Sequence, residues 1–144
     1  MFSKKLIFSV ILVVLFGIFV LSFNKHTVTI NDTVFTVAIA NTPALREQGL
    51  SNTTPLKQKQ GMLFVFDKPD IHGFWMKDMS YPLDFIWINE NKQIVSISEN
   101  VYPESYPAVF YPNTAILYVL EVPAGNAAAR APTRGGAAAG QALH

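Results

Sequence analysis

The sequence predicts a mainly β fold, a compact antiparallel β-sandwich or barrel with one short helix, preceded by an N-terminal transmembrane helix. Three observations predict it. Leu6 to Phe23 is a run of eighteen residues without a charge, long enough to cross a bilayer. From Thr27 onward, short runs of apolar and β-branched residues are separated by Pro, Asn, Asp or Gly, which is typical of strands joined by turns. Only one segment carries the start and stop signals of a helix.

The N-terminal run is interpreted from its length and from its basic lead, "MFSKK". Eighteen helical residues span about 27 Å, whereas the apolar region of a cleavable signal is usually about 7 to 15 residues long. We therefore expect residues 1–23 to form an uncleaved signal anchor, a single pass with the C-terminal domain outside the cytoplasm. A cleavable signal peptide is the alternative, because Val20 and Ser22 are small enough to precede a cut at Phe23. The protein would then be secreted or periplasmic.

The body begins with a predicted hairpin and a predicted helix. "TVTINDTVFTVAIA" indicates two strands joined by a tight turn at Asn31 and Asp32. In "TPALREQGL", Thr42 can cap a helix, Pro43 suits its first turn and Gly49 can end it. Six further runs complete a prediction of eight short strands: "MLFVF", "GFWMK", "LDFIWI", "QIVSIS", "AVFY" and "AILYVLEV".

The C-terminal segment differs from the body in composition. "AGNAAARAPTRGGAAAGQALH" contains no Ile, Val or aromatic residue and a single Leu. Such a segment buries too little apolar surface to offset the entropy lost on ordering. We therefore divide the chain into an anchor or signal peptide (1–23), a linker with the first strand (24–33), a β domain (34–125) and a flexible Ala/Gly-rich tail (126–144).

Composition excludes several classes of function. Between Asn24 and Pro123 there are seven Lys and Arg against all ten Asp and Glu, an acidic balance that disfavours nucleic acid as a partner. The absence of cysteine excludes disulfides, thiolate metal sites and thiol catalysis. There is no G-x-S-x-G motif or Gly-rich phosphate loop, and the three histidines are far apart. Asp67 and Asp70 fit solvated turn residues better than a metal clip. We expect no metal and no cofactor.

The candidate site lies in "GFWMKDMSYPLDFIWI", where charges interrupt apolar runs. If "DMSYP" is a hairpin turn, Lys77 and Asp84 are cross-strand neighbours. One interpretation is an ion pair at the rim of the sheet, worth about 0 to 1 kcal/mol. The other places Trp75, Lys77 and Asp84 in a cleft for a small polar ligand. Because Asp84 lies among apolar residues, we expect it to be buried, with Arg46 as its preferred partner.

Four motifs in order, "REQGLS", "GMLFVF", "FWMKDMSYPLDFIWI" and "AILYVLEVPAG", resemble the domain of unknown function family 192, also called uncharacterised protein family 0127. The resemblance covers Val34 to Gly125. It implies a small β-rich, sandwich-like protein, often secreted or membrane-anchored, without an established reaction. It also implies that a closing apolar strand after "AG" is missing here. The recurrent polar and aromatic positions of the family fall on the candidate ligand-binding residues Arg46, Trp75, Met76, Lys77, Asp84 and Glu121.

Three functional hypotheses follow. The favoured one is a membrane-tethered extracytoplasmic module that binds a small polar ligand. The second is a hydrolase or transferase in which Asp84 or Glu121 acts as general base and Arg46 or Lys77 stabilises charge. The third is a structural or assembly factor of the cell envelope that acts through a sheet edge. A close cluster of all four charged groups in a concave pocket would favour the enzyme, and charges scattered over a flat face would favour the assembly factor.

Overall fold

The computed structural model describes residues 26–127, which form one six-stranded mixed sheet with the strand order β1-β2-β3-β6-β4-β5. The predicted mainly β class is therefore confirmed. The elements in chain order are β1 (His26–Ile30), β2 (Thr33–Ala40), α1 (Pro43–Gln48), β3 (Gln60–Asp70), β4 (Leu83–Ile88), β5 (Ile94–Val101), a 3-10 helix (Pro103–Ser105) and β6 (Ile116–Pro123).

The predicted hairpin and helix are both confirmed. Strands β1 and β2 pair antiparallel from His26 opposite Val37 to Ile30 opposite Thr33, leaving a two-residue turn. Asn31 in this turn has φ 49°, a left-handed value that Asn tolerates better than most residues. Helix α1 begins where the Thr42 hydroxyl accepts the Leu45 N–H at 3.2 Å, and it ends at Gly49.

The expectation of an all-antiparallel sheet is wrong at one pair of strands. Strands β2 and β3 run parallel, from Thr36 opposite Gln60 to Ala40 opposite Phe64. Parallel neighbours require a crossover between them, and α1 with residues 49–59 provides it. All other pairs of neighbouring strands in the described part of the chain are antiparallel.

The sheet is open, with β1 and β5 at its edges, rather than the predicted sandwich or closed barrel. Each of its two faces nevertheless carries an apolar core. We call them the helix face and the hairpin face. The helix face includes Met62, Phe64, Phe85, Trp87 and Val119. The hairpin face includes Val28, Phe35, Ile86, Ile88 and Leu120.

The runs "GFWMK" and "AVFY", predicted to be strands, are irregular segments. They meet only at an isolated bridge in which Phe74 and Phe110 exchange N–H···O bonds of 2.9 and 2.8 Å. The segment before β4 therefore crosses the helix face, with Met76 buried in its core. The predicted hairpin between "GFWMK" and "LDFIWI" does not form, so Lys77 and Asp84 are not cross-strand neighbours.

Packing continues slightly beyond the predicted end of the β domain at residue 125. The Asn126 side chain donates to the Pro123 carbonyl at 2.9 Å, and Ala127 is only 2% exposed. Within residues 26–127, the helices are too short to span a membrane. The predicted anchor at residues 1–23 and the rest of the predicted tail lie outside the described residues.

Candidate functional site

A pocket of about 220 Å³ opens on the helix face of the sheet, between α1, β3 and the irregular segment before β4. Of the six predicted site residues, it brings together Arg46, Trp75 and Glu121. Its remaining lining residues are Pro43, Glu47, Gln48, Gly49, Leu50, Ser51, Phe64, Phe66, His72, Gly73, Phe74 and Met79.

Glu121 is the buried acidic group of this pocket. It lies on β6 opposite Met62 of β3 and Phe85 of β4, two core residues of the helix face, and is only 5% exposed. Among the residues that the structure describes, its Oε2 atom has no hydrogen-bond partner. Burial raises the pKa of Glu121 to about 8, because a desolvated carboxylate is less stable than the neutral acid. The side chain is therefore mostly protonated at pH 7.

The charge of Glu121 also affects the pKa of a second titratable group, Tyr81. Burial raises the pKa of Tyr81, a hydrogen bond shared with the Thr53 hydroxyl lowers it in part, and the charge of Glu121 raises it further. The Tyr81 hydroxyl and the Thr53 Oγ1 atom are 2.8 Å apart. Tyr81 is thus already partnered, and it lies close enough to Glu121 to respond to its ionisation.

His72 is a pocket residue that sequence reasoning did not select. Its ring stacks on Phe66, with centroids 3.5 Å apart and planes at 8°. Its Nε2 atom is buried and has no hydrogen-bond partner within residues 26–127. The wide spacing of the histidines in the sequence did not indicate a role for His72, because its stacking on Phe66 depends on how the chain turns after β3. Two unpartnered polar side chains, His72 and Glu121, therefore line the same pocket.

Arg46 extends from α1 to β3. Its Nη1 atom donates to the Val65 carbonyl at 2.7 Å and its Nη2 atom to Asp67 Oδ2 at 3.3 Å. The guanidinium also lies over the Phe66 ring, 5.3 Å from its centroid. The predicted ion pair between Arg46 and Asp84 is therefore wrong. The partner of Arg46 is Asp67, whose side chain is 86% exposed.

Asp84 is fully buried, as predicted, but among residues 26–127 it has no cationic partner. It shares the hairpin face with Ile86 and Ile88, opposite to the pocket. Its Oδ1 atom accepts the main-chain N–H of Asn100 at 2.8 Å, and its Oδ2 atom accepts that of Ala127 at 2.9 Å. Asp84 therefore joins β4 to β5 and to the end of the described chain. The rim ion pair with Lys77 is also wrong.

The three predicted residues from "WMK" have different environments. Trp75 is 44% exposed and lines the pocket, so it supplies the expected aromatic wall. Met76 is buried in the core of the helix face. Lys77 is exposed, and its carbonyl accepts the Ser51 hydroxyl at 2.8 Å. The pocket thus combines a buried acid, an imidazole nitrogen and aromatic rings, and within residues 26–127 no group of His, Asp and Glu has the arrangement of a metal site.

Comparison with known proteins identifies a family. Residues 26–137 match the sequence profile of DUF192, described as "Uncharacterized ACR". The match confirms the resemblance found in the motifs and extends beyond the predicted Val34 to Gly125 at both ends. No curated protein matches the chain.

Two crystal structures share the fold. One is a candidate transcription regulator from Sinorhizobium meliloti 1021, with a TM-score of 0.74 and 29% identity over 85% of this chain and 95% of the other. The second is a protein of unknown function from Novosphingobium aromaticivorans DSM 12444, with a TM-score of 0.70 and 30% identity over 82% of this chain and 84% of the other.

Proposed function

We propose that this chain, which belongs to the uncharacterised family DUF192, binds a small polar ligand in the pocket beneath α1. We further propose that Leu6 to Phe23 tethers the domain to the membrane, outside the cytoplasm. The first proposal is supported by the geometry of the pocket and the second by the length and charge of the N-terminal run.

One observation carries the binding proposal: His72 Nε2 and Glu121 Oε2 are both buried without a partner, and both residues line one pocket. A buried polar group without a hydrogen bond costs about 1 to 3 kcal/mol, so such groups are rare unless they have a role. A ligand that hydrogen-bonds to both atoms would recover this free energy. The volume of about 220 Å³ exceeds the roughly 30 Å³ share of one water molecule several times.

The apolar part of the lining supports the same function. Small-molecule sites commonly combine an aromatic wall with a few polar groups that set orientation. Here Phe64, Phe66, Phe74 and Trp75 surround the polar pair, and the exposed indole of Trp75 lies where a ligand would enter. Arg46 strengthens one side of the pocket through its contacts with β3.

An enzyme is the second candidate, favoured by the raised pKa of Glu121. A carboxyl that is protonated near pH 7 is suited to act as a general acid. Asp84 lies on the opposite face of the sheet and does not share a substrate with Glu121. The regulator function given for the Sinorhizobium meliloti protein is not extended to this chain, because the acidic balance of the body disfavours contact with DNA.

The binding proposal is tested by a thermal-shift screen of small polar compounds against the full chain in a mild detergent. Compounds that bind in the pocket should raise Tm. His72→Phe keeps a ring to stack on Phe66 but removes the nitrogen, so it should weaken binding of a hit at least tenfold. Lys77→Ala, exposed and outside the pocket, is the matched control and should leave binding unchanged. The proposal fails if no compound raises Tm, or if His72→Phe binds every hit as well as the original chain.

The tether is tested separately by mass spectrometry of the membrane fraction. An uncleaved anchor should leave the first 25 residues attached to the protein. A mature N-terminus at Phe23 would instead support a secreted or periplasmic protein.

A further inference from the structure

The charges around the pocket are unequal. Helix α1 contributes Arg46 and Glu47, and β6 contributes Glu121. Arg46 is matched by Asp67, to which it donates a hydrogen bond. Glu47 is exposed at the rim, and among the described residues it forms no salt bridge. When Glu121 is ionised, the uncompensated charge of the pocket is therefore negative.

The aromatic rings that line the pocket, like its negative charge, favour a positively charged ligand. The face of an aromatic ring attracts a cation that lies within about 6 Å of its centroid. One cation already contacts these rings, since the Arg46 guanidinium lies 5.3 Å from the centre of Phe66. Trp75, the best type of ring for such contacts, is 44% exposed at the pocket and available to a second cation.

From these observations we infer that the ligand is a compact organic cation, an ammonium group whose charge pairs with Glu121 and whose carbon atoms contact the aromatic wall. This inference rests on the proposed binding function and specifies its ligand class. An anionic ligand would meet Glu47 and Glu121. A neutral polyol would need many hydrogen-bond groups, whereas the polar side chains here besides Arg46, Glu47 and Glu121 are only Gln48, Ser51 and His72.

Pairing with a cation requires Glu121 to lose its proton. Its pKa in the free protein is about 8, so a proton is released when a cation binds below that pH. The ligand binds the ionised form, so affinity should rise about tenfold per pH unit up to pH 8 and then level off. Arg46, Glu47, His72 and Tyr81 are the other titratable groups at or beside Glu121.

The test is calorimetric titration of the full chain in detergent with choline and with 3,3-dimethyl-1-butanol, its neutral counterpart of nearly equal shape. Choline has a permanent charge, so any pH dependence belongs to the protein. We expect choline to bind at least tenfold more tightly than the alcohol at pH 9, and about tenfold more weakly at pH 6 than at pH 7. Buffers of different ionisation enthalpy should report close to one proton released at pH 6.5.

Two variants complete the test. Glu121→Gln should remove both the preference for choline and the pH dependence, while Tm confirms that it is folded. Glu99→Gln, exposed and outside the pocket, is the matched control and should change the affinity for choline by less than threefold. The inference is overturned if choline fails to bind at pH 9, if the alcohol binds as tightly, or if affinity is flat between pH 6 and 8. A neutral compound that raises Tm in a manner dependent on His72 would then leave the binding function standing without its cationic ligand.

Discussion

Asp84 and Glu121 are both buried carboxyls, yet their surroundings differ. Asp84 accepts two main-chain N–H groups, which suits a charged acceptor. Glu121 Oε2 accepts none, and burial alone raises the pKa of the group. The first side chain therefore supports the fold. The second is costly to keep ionised, and it lines the pocket beneath α1.

Replacing Asp84 with Ala should destabilise the protein by about 2 to 4 kcal/mol, because two main-chain N–H groups lose their acceptor. Asp84→Asn should lose less, since its amide oxygen still accepts one of them. Urea denaturation measures both changes, with the exposed Glu99→Ala as a control expected within about 0.5 kcal/mol. In a double-mutant cycle with Arg46→Ala the effects should add, since Arg46 pairs with Asp67. Strong coupling would contradict the placement of Asp84.

Glu121 should make stability depend on pH. Its pKa rises from 4.5 to about 8 on folding, so between these values the native state binds more protons than the unfolded state, and the free energy of unfolding falls as pH rises. Glu121→Gln should match the original protein near pH 4 and exceed it by on the order of 3 kcal/mol at pH 7. Urea denaturation across pH 4 to 9 measures the difference. An equal difference at every pH would show that Glu121 does not titrate in this range.

At the scale of secondary-structure elements, the pocket lies beside the pair of strands β3 and β6. Glu121 on β6 pairs with Met62 on β3, and Arg46 from α1 bonds to Val65 on the same strand. The approach of the two strands is close at Gly61. A Cβ atom there would lie 2.7 Å from the Glu121 carbonyl oxygen, which belongs to the main chain and cannot rotate away.

Gly61→Ala should therefore destabilise the sheet by about 1 to 3 kcal/mol, because β3 and β6 must separate. Gly73→Ala is a suitable comparison. Its added methyl would meet the Tyr111 and Val109 side chains, which can move because both are exposed. Thermal unfolding should thus show a larger fall in Tm for Gly61→Ala than for Gly73→Ala. The reverse order would mean that the irregular segment is less adaptable than the paired strands.

At the scale of the whole molecule, the end of the described chain packs into the core of the hairpin face, whose other residues are distant in sequence. Ala127 is buried on the hairpin face, and its N–H donates to Asp84, 43 residues earlier. The family profile also continues beyond this point, to residue 137. The packed part of the chain therefore includes Asn126 and Ala127, which composition alone assigned to the tail.

Truncation tests this boundary. A chain ending at Arg130 keeps Ala127 and should unfold at nearly the urea concentration of the full chain. A chain ending at Gly125 loses the donor to Asp84 and the buried methyl group of Ala127, so it should be less stable by about 2 to 3 kcal/mol. Equal stability of the two truncated chains would show that the contact with Asp84 contributes nothing.

Much of the fold was predictable because it depends on neighbours in sequence. Alternation of apolar residues indicated most strands, and the turn at Asn31 and the ends of α1 follow from single residues with known conformational preferences. The burial of Asp84 followed from its apolar neighbours. Motif resemblance, rather than residue pattern, selected Glu121.

Other features were decided only by the tertiary structure, because they join residues that no local pattern relates. The parallel pairing of β2 with β3 depends on the crossover through α1, and "GFWMK" is irregular because its Phe74 pairs with Phe110. The partners of Asp84 are main-chain groups, which side-chain identities do not reveal. The meeting of His72 and Glu121 in one pocket likewise depends on how the chain turns after β3. The sequence therefore determined most of the elements and the burial of a charge, whereas long-range packing decided which polar groups line one pocket without a hydrogen-bond partner among the described residues.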